Sequence, residues 1–229
     1  MEHQADLAVK RARDAAVASR TALISHVRGA IKSFGLRLPT CSPDGFHRRV
    51  LAHLPKELEP ALEPIVRLIR QATVEIKNFD AQIEALVDER YPVTKVLRQV
   101  SGVGPVTALS FVLTLDTPDR VSDSRQVGPY LGLVPRTHDS GASSPQLRIT
   151  KAGDPGPRRL LVMAANYILG PFGPDCDLRR FGLKLAAQGG KNGRKRAKVA
   201  VARKLAVLLH HLWKTGEVFG PVPSGQEAR

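Results

Sequence analysis

The chain has 229 residues, 42% of them hydrophobic, which is enough to bury one core or two. Its 35 Lys and Arg against 21 Asp and Glu give a formal charge of +14 and a pI near 10.4, an excess that points to a polyanionic partner, nucleic acid first. No run approaches the ~18 apolar residues of a membrane span, and Met1-Glu2-His3-Gln4 opens without a signal-peptide pattern, so the expectation is a cytoplasmic protein with no membrane contact.

Residues 5–34 are rich in Ala, Arg and Val, and Leu23, Val27, Ile31 and Phe34 are spaced for one face of a helix. Gly35 is placed to end it. The stretch LRLPTCSPDG is a connector, in which Ser42-Pro43-Asp44 looks like the cap of a short helix through His53. Cys41 here and Cys176 later are far apart and lie in no CxxC or Cys/His cluster, so both read as ordinary thiols rather than a disulfide or zinc site.

The most regular segment follows. Leu58, Leu62, Ile65, Ile69, Ala72, Ile76, Phe79, Ile83 and Leu86 alternate steps of four and three, a heptad seam that predicts a coiled-coil helix. Pro60 and Pro64 interrupt its start, so the regular part is expected from near Pro64 to Tyr91-Pro92. A seam does not name its partner: either the helix of residues 5–34, in an antiparallel hairpin, or a second protomer. After Pro92 glycine and proline punctuate the chain, which places a domain boundary between 1–92 and 93–229.

The second part opens with SGVGPVTALS, residues 101–110. A P-loop needs Gly-Lys-Ser/Thr after its glycines, and a dinucleotide fingerprint needs a third glycine where Thr107 stands; both tests fail. The order Leu97, Val100, Gly102, Val103, Gly104, Ala108, Leu109 instead resembles a helix-hairpin-helix element. Its glycines allow close backbone approach, Val103 plugs the turn, and amides at the start of the second helix face a phosphate. Gly102, Val103 and Gly104 are thus candidate DNA contacts that position without reading sequence. The bland alternative is a tight corner between two helices.

A loop-rich middle, residues 117–157, leads to helical patterns over residues 158–169, 175–188 and from GGKNG to Trp213. The last has Val199, Ala202, Leu205, Ala206, Leu209 and Leu212 on its apolar face and His210-His211 as a structural pair. Lys191, Arg194, Lys195, Arg196, Lys198, Arg203 and Lys204 fall in one segment without an acid, mostly opposite that face. Density and single sign favour a phosphate-binding face, with Arg194, Lys195, Arg196 and Lys198 as its candidates, over a merely solvated one.

Four segments in order, QVSGVGPVTAL, YLGLVPRTHDSG, ITKAGD and RRLLVMAAN, resemble the C-terminal domain of IS110-type insertion-sequence transposases. Upstream, ASRTALISHVRGAIKSFGL and the long heptad helix resemble the connecting coiled coil of the same family, so the likeness covers nearly the whole chain. The resemblance implies DNA transposition by recombination. Its Ser-Gly motif falls on Ser140-Gly141, and it implies that Ser140 attacks a phosphodiester to form a phosphoserine link. Lys151, Arg158 and Arg159 then help hold the scissile phosphate. DNA is the implied partner, a structured guide RNA accompanies several members, and the coiled coil suggests a homo-oligomer.

The family also carries an N-terminal RNase H-like domain with an Asp-Glu-Asp-Asp site for Mg2+. It has no counterpart here, so no cofactor is expected in this chain. Asp116, Asp119 and Asp123 flank a Thr-Pro turn and a helix start, where Asp serves as a cap. Without the resemblance, DSGASS reads as a flexible loop. Arg148 stands where the family usually has glycine, and Gly156-Pro157 replaces an aromatic-aliphatic pair, so the helix meant to start near Asp154 is expected to start later. These departures point to a truncated or decaying copy. The fold expected is mainly α: a long coiled-coil arm, then a compact helical domain containing the hairpin element. The rival readings are a non-catalytic nucleic-acid-binding or regulatory relic, and a helical protein with no nucleic-acid role.

Overall fold

The structure, a computed structural model, describes residues 2–138 and 147–220. Within them the fold is mainly α, with one isolated antiparallel bridge, Pro135 to Ile149, and no strand. The chain divides into two compact units, Met1–Ala85 and Leu86–Arg229.

The first unit is built on α1 (Glu2–Ser33), α2 (Phe46–Leu51) and most of α3 (Glu59–Arg90). Gly35, at φ +76°, closes α1: its amide bonds the Lys32 carbonyl at 3.0 Å while the Leu36 amide reaches back to Ile31 at 3.3 Å. That pair of bonds is the Schellman closure, which satisfies carbonyls the helix end leaves free. Phe34 departs from the expected face. It lies in the closing turn beyond Ser33 and is 53% exposed.

The partner of the heptad seam is α1 of the same chain. Arg13 Nε bonds Asp80 at 2.5 Å and Arg20 Nη1 reaches Thr73 Oγ1 at 3.4 Å. Seven residues forward on α1 match seven backward on α3, so the two run antiparallel. Val27, Ile31, Leu62, Val66 and Ile69 then form one core, capped by Phe46 and Val50 of α2. The helix also starts earlier than the prolines suggested. Pro60 falls in the first turn, where no amide is needed, and Pro64 costs a single bond inside a helix held by its buried face. Ser42 caps the turn before α2, accepting from the Gly45 amide at 3.3 Å.

The second unit begins with the last turn of α3 and continues through α4 (Val93–Leu97), α5 (Pro105–Leu115), α6 (Val127–Tyr130), α7 (Pro155–Ile168), α8 (Asp177–Gln188) and α9 (Gly193–Thr215). Ala197, Val201, Ala202, Leu205, Ala206 and Leu209 bury one face of α9 completely. The alanines let neighbouring helices come close, and Gly182 of α8 does the same. A Cβ there would stand 2.6 Å from Val201 Cγ2.

His210 is structural, as its apolar setting suggested. It is fully buried, its Nε2 donates to the Pro118 carbonyl at 2.7 Å, and its Nδ1 pairs with Ser124 Oγ at 2.8 Å. A carbonyl can only accept, so Nε2 carries the proton. The start of α7 corrects the expectation drawn from Gly156-Pro157. Asp154 caps the helix by accepting from the Gly156 amide at 2.7 Å, and Pro155 and Pro157 occupy first-turn positions whose amides have no intrahelical partner. The helix starts on time.

Candidate nucleic-acid interface

Two of the segments singled out in the sequence, YLGLVPR and ITKAGD, zip together. The Arg136 amide bonds the Arg148 carbonyl at 2.9 Å, Thr150 bonds Val134 at 2.9 Å, and Lys151 bonds Gly132 at 3.2 Å. Gly132 makes this possible. It has φ +65°, and a Cβ would lie 2.4 Å from the Ala152 amide nitrogen. Arg158 pins the same junction from α7, with Nη1 donating to the carbonyls of Leu131 at 3.0 Å and Ala152 at 2.7 Å. Ser140 and Gly141 lie outside the described residues.

This ladder forms one wall of a groove of about 1320 Å³; α8 and α9 supply the others. Two neighbouring rows of α9 face it. One carries Lys195, Val199, Arg203 and Val207, the other Arg196, Ala200, Lys204 and Leu208. The four-residue steps keep each row on the side away from the buried face. Arg125, Arg148 and Lys151 bring the cations of the lining to seven, all exposed, and Asp177 is the one acid among its described residues. Asp177 lies 3.6 Å from Arg180, which also bonds Asp175 and holds that carboxyl below its usual range through the hydrogen bond. None of the seven cations forms an ion pair with a described carboxylate, so their field is directed at whatever enters the groove.

The same lining has an apolar part. Leu133, Ile149, Phe181 and Leu185 join Val207 and Leu208 there, and Lys204 Nζ stands 4.0 Å over the centroid of the Phe181 ring.

The candidate residues divide accordingly. Lys151, Lys195 and Arg196 meet in the groove, together with Arg203 and Lys204 of the same basic run. Arg194 is exposed and Lys198 half-buried on α9, and neither lines it. Arg158 is committed to backbone carbonyls, and Arg159 is exposed on α7 outside the lining.

The glycine turn lies elsewhere in the unit, against α7. A Cβ on Gly102, at φ +86°, would meet the Ala164 carbonyl oxygen at 3.1 Å and the Tyr167 ring at 3.2 Å. Val103 is buried, while Gly104 has open space where a side chain would go. Sequence reasoning missed Arg125 and Phe181 and noted Arg148 only as a departure. Each is an isolated residue in a loop or on a helix, and no spacing signals that they converge.

Among the described residues no group of His, Cys, Asp and Glu gathers that could hold a metal. Asp123 accepts from the Arg125 amide at 2.9 Å as a cap, and Asp116 closes α5 and lies 3.7 Å from Arg120.

Residues 94–174, which contain the glycine turn and both ladder segments, match the family model of the transposase IS116/IS110/IS902 family. The chain belongs to that family. It is 30% identical over 225 residues to the transposase for insertion sequence element IS1111A of Coxiella burnetii, an alignment covering 96% of this chain and 61% of that protein. It is 32% identical over 178 residues to a probable family 20 transposase of Pseudomonas aeruginosa, covering 73% of this chain and 52% of the relative. A third relative, the transposase for insertion sequence element IS1328 of Yersinia enterocolitica, is 31% identical over 175 residues, 73% of this chain and 51% of its own. The chain thus spans between about half and three fifths of the length of these transposases.

Proposed function

We propose that the second unit is the DNA-binding part of an insertion-sequence transposase, with the groove cations taking DNA phosphates and Ser140 acting as the nucleophile. One observation carries the reading. Lys151 and Arg148, beside the segment that bears Ser140, share a groove with the four basic residues of α9. The serine oxygen attacks phosphorus, a P–Oγ bond forms, and the bond from phosphorus to one deoxyribose oxygen breaks. The hydroxyl proton leaves to solvent and the departing oxygen takes one up. The phosphodiester count is conserved, so reversal with a new deoxyribose oxygen rejoins DNA without an external energy source.

Binding to labelled DNA across a salt series tests the first half. Charge reversal of Lys195 and Arg196 together removes two phosphate contacts, so the log-log salt slope falls by about 2 and affinity at low salt drops by roughly 10–100-fold. An unchanged slope sinks the groove assignment. Trapping of covalent protein-DNA adducts tests the second half: adducts that persist in Ser140→Ala overturn the nucleophile.

Arg158 favours a second reading, a binding module without chemistry. Its guanidinium serves two carbonyls rather than standing ready for a phosphate. Adducts formed by the unaltered chain and lost in Ser140→Ala exclude that reading.

Gly104, with open space at its Cβ position, supports a further backbone contact to DNA at the helix-hairpin-helix-like turn. The cytoplasm as location, a structured guide RNA, self-association and Mg2+ chemistry are proposals for the full-length family protein. Within this chain α1 already fills the heptad seam, so copies that associate through the first unit must use another face of it.

A further inference from the structure

The groove has two chemistries, and duplex DNA satisfies only one. A duplex presents phosphates on its outside and keeps its base faces stacked within, so it can meet the cationic rim but offers nothing to an apolar lining. An unpaired strand presents both at each nucleotide, a phosphate and a bare base face. Phe181 and Leu185 line the same groove as Lys195, Arg203 and Lys204. The Lys204 ammonium, 4.0 Å over the Phe181 ring, puts a phosphate partner and an aromatic surface side by side. At about 1320 Å³ the groove exceeds the ~300–1,000 Å³ usual for small-molecule pockets, which suits a stretch of polymer.

Building on the DNA-binding reading above, we infer that this groove takes an unpaired DNA strand, its bases on Phe181 and its phosphates on the rim cations. On entry of the strand, Lys204 moves from the ring to a phosphate and a base takes its place over Phe181. The groove therefore holds DNA whose strands have been separated, and an intact duplex touches its rim only.

The test uses the full chain and one fluorescein-labelled mixed-sequence oligonucleotide of about 20 nucleotides, offered as single-stranded DNA, as duplex and as single-stranded RNA at low salt. Single-stranded DNA is expected to bind at least about 5-fold more tightly than duplex, since stacking of even one base contributes that much. Phe181→Leu lowers single-strand affinity by about 5-fold or more and changes duplex affinity by less than about 2-fold, while Phe181→Tyr retains the preference. The tyrosine variant separates loss of an aromatic face from misfolding, and Phe181 is only half-buried. Equal binding of single strand and duplex, unaffected by Phe181→Leu, overturns the inference; the wider reading survives if charge reversal of Lys195 and Arg196 still weakens both. Tighter binding of RNA than of single-stranded DNA overturns the assignment to DNA. Absence of binding to all three at low salt overturns both readings.

Discussion

The two units of this chain hold their charges in opposite ways. Residues 1–85 carry 13 Lys and Arg against 10 Asp and Glu, and residues 86–229 carry 22 against 11, so of the net +14 the first unit holds +3 and the second +11. In the hairpin, cations are spent on the fold: Lys10 is buried with Asp14 at 3.0 Å, Arg13 bonds Asp80, and Arg20 bonds Asp44 at 2.5 Å. In the groove, seven cations stand without a described carboxylate partner. The excess that composition registers for the whole chain is therefore largely a property of the second unit. A summed charge becomes a functional signal only where the charges lack internal partners.

The contrast can be broken experimentally, starting with the hairpin core. Ile69 is fully buried among Val27, Ile31 and Val66, and Ile69→Ala should cost about 2–5 kcal/mol of hairpin stability through the cavity it leaves. Hydrogen exchange should locate the loss in residues 1–85, and the salt slope of DNA binding below the unfolding range should not move. A change in slope would mean that the hairpin contributes phosphate contacts.

Arg158→Met comes next. It removes two charge-assisted bonds to carbonyls, and thermal unfolding should show a loss of about 1.5–3 kcal/mol in the second unit. Weaker DNA binding at unchanged stability would instead return Arg158 to the role of phosphate ligand.

A smaller effect attaches to His47. Burial first, then the charges of Arg48, Arg70 and Lys77, hold its pKa below the usual value, so the unfolded chain takes up a proton at higher pH than the folded one. The stability this group contributes is present above the unfolded pKa, near 6.5, and is lost as pH falls through that value toward the lower folded one. Denaturant melts from neutral to mildly acid pH should show the decline, and His47→Gln should flatten it. Smallest of all is Phe34→Ser. This side chain sits beyond the end of α1, and calorimetry should find stability within about 0.5 kcal/mol of the parent.

Much of the helical architecture was legible because it is periodic. The spacing from Leu58 to Leu86 anticipated Leu62, Ile69, Ile76 and Ile83 on the buried face of α3, though not Val66, Thr73 and Val87 beside them; Gly35 was legible as a helix terminator and Ser42 as a cap, since each is a local preference that holds wherever the segment lies. The start of α7 was misread for the opposite reason. Two prolines near a helix start look like breakers until Asp154 is seen capping, when they occupy positions where no amide is required.

The basic run of α9 was also legible as a run, yet which of its members share a surface was not. Lys195 and Arg196 reach the groove while Arg194 and Lys198 do not, because a helix separates neighbours by about 100° and only packing decides which sector is covered.

By itself, then, the sequence determined the helix content, part of the heptad face and the family, and its charge excess supplied the expectation of a polyanionic partner, all properties of composition, local spacing or short motifs. The tertiary structure alone decided that the seam closes on α1 of the same chain. It also decided that the glycine turn sits against α7 outside the groove lining, and that Arg125, Arg148 and Phe181 meet the α9 cations. The physical reason is common to these cases. Contacts between residues remote in sequence are selected by how helices pack, and no local pattern encodes the surface that packing leaves open.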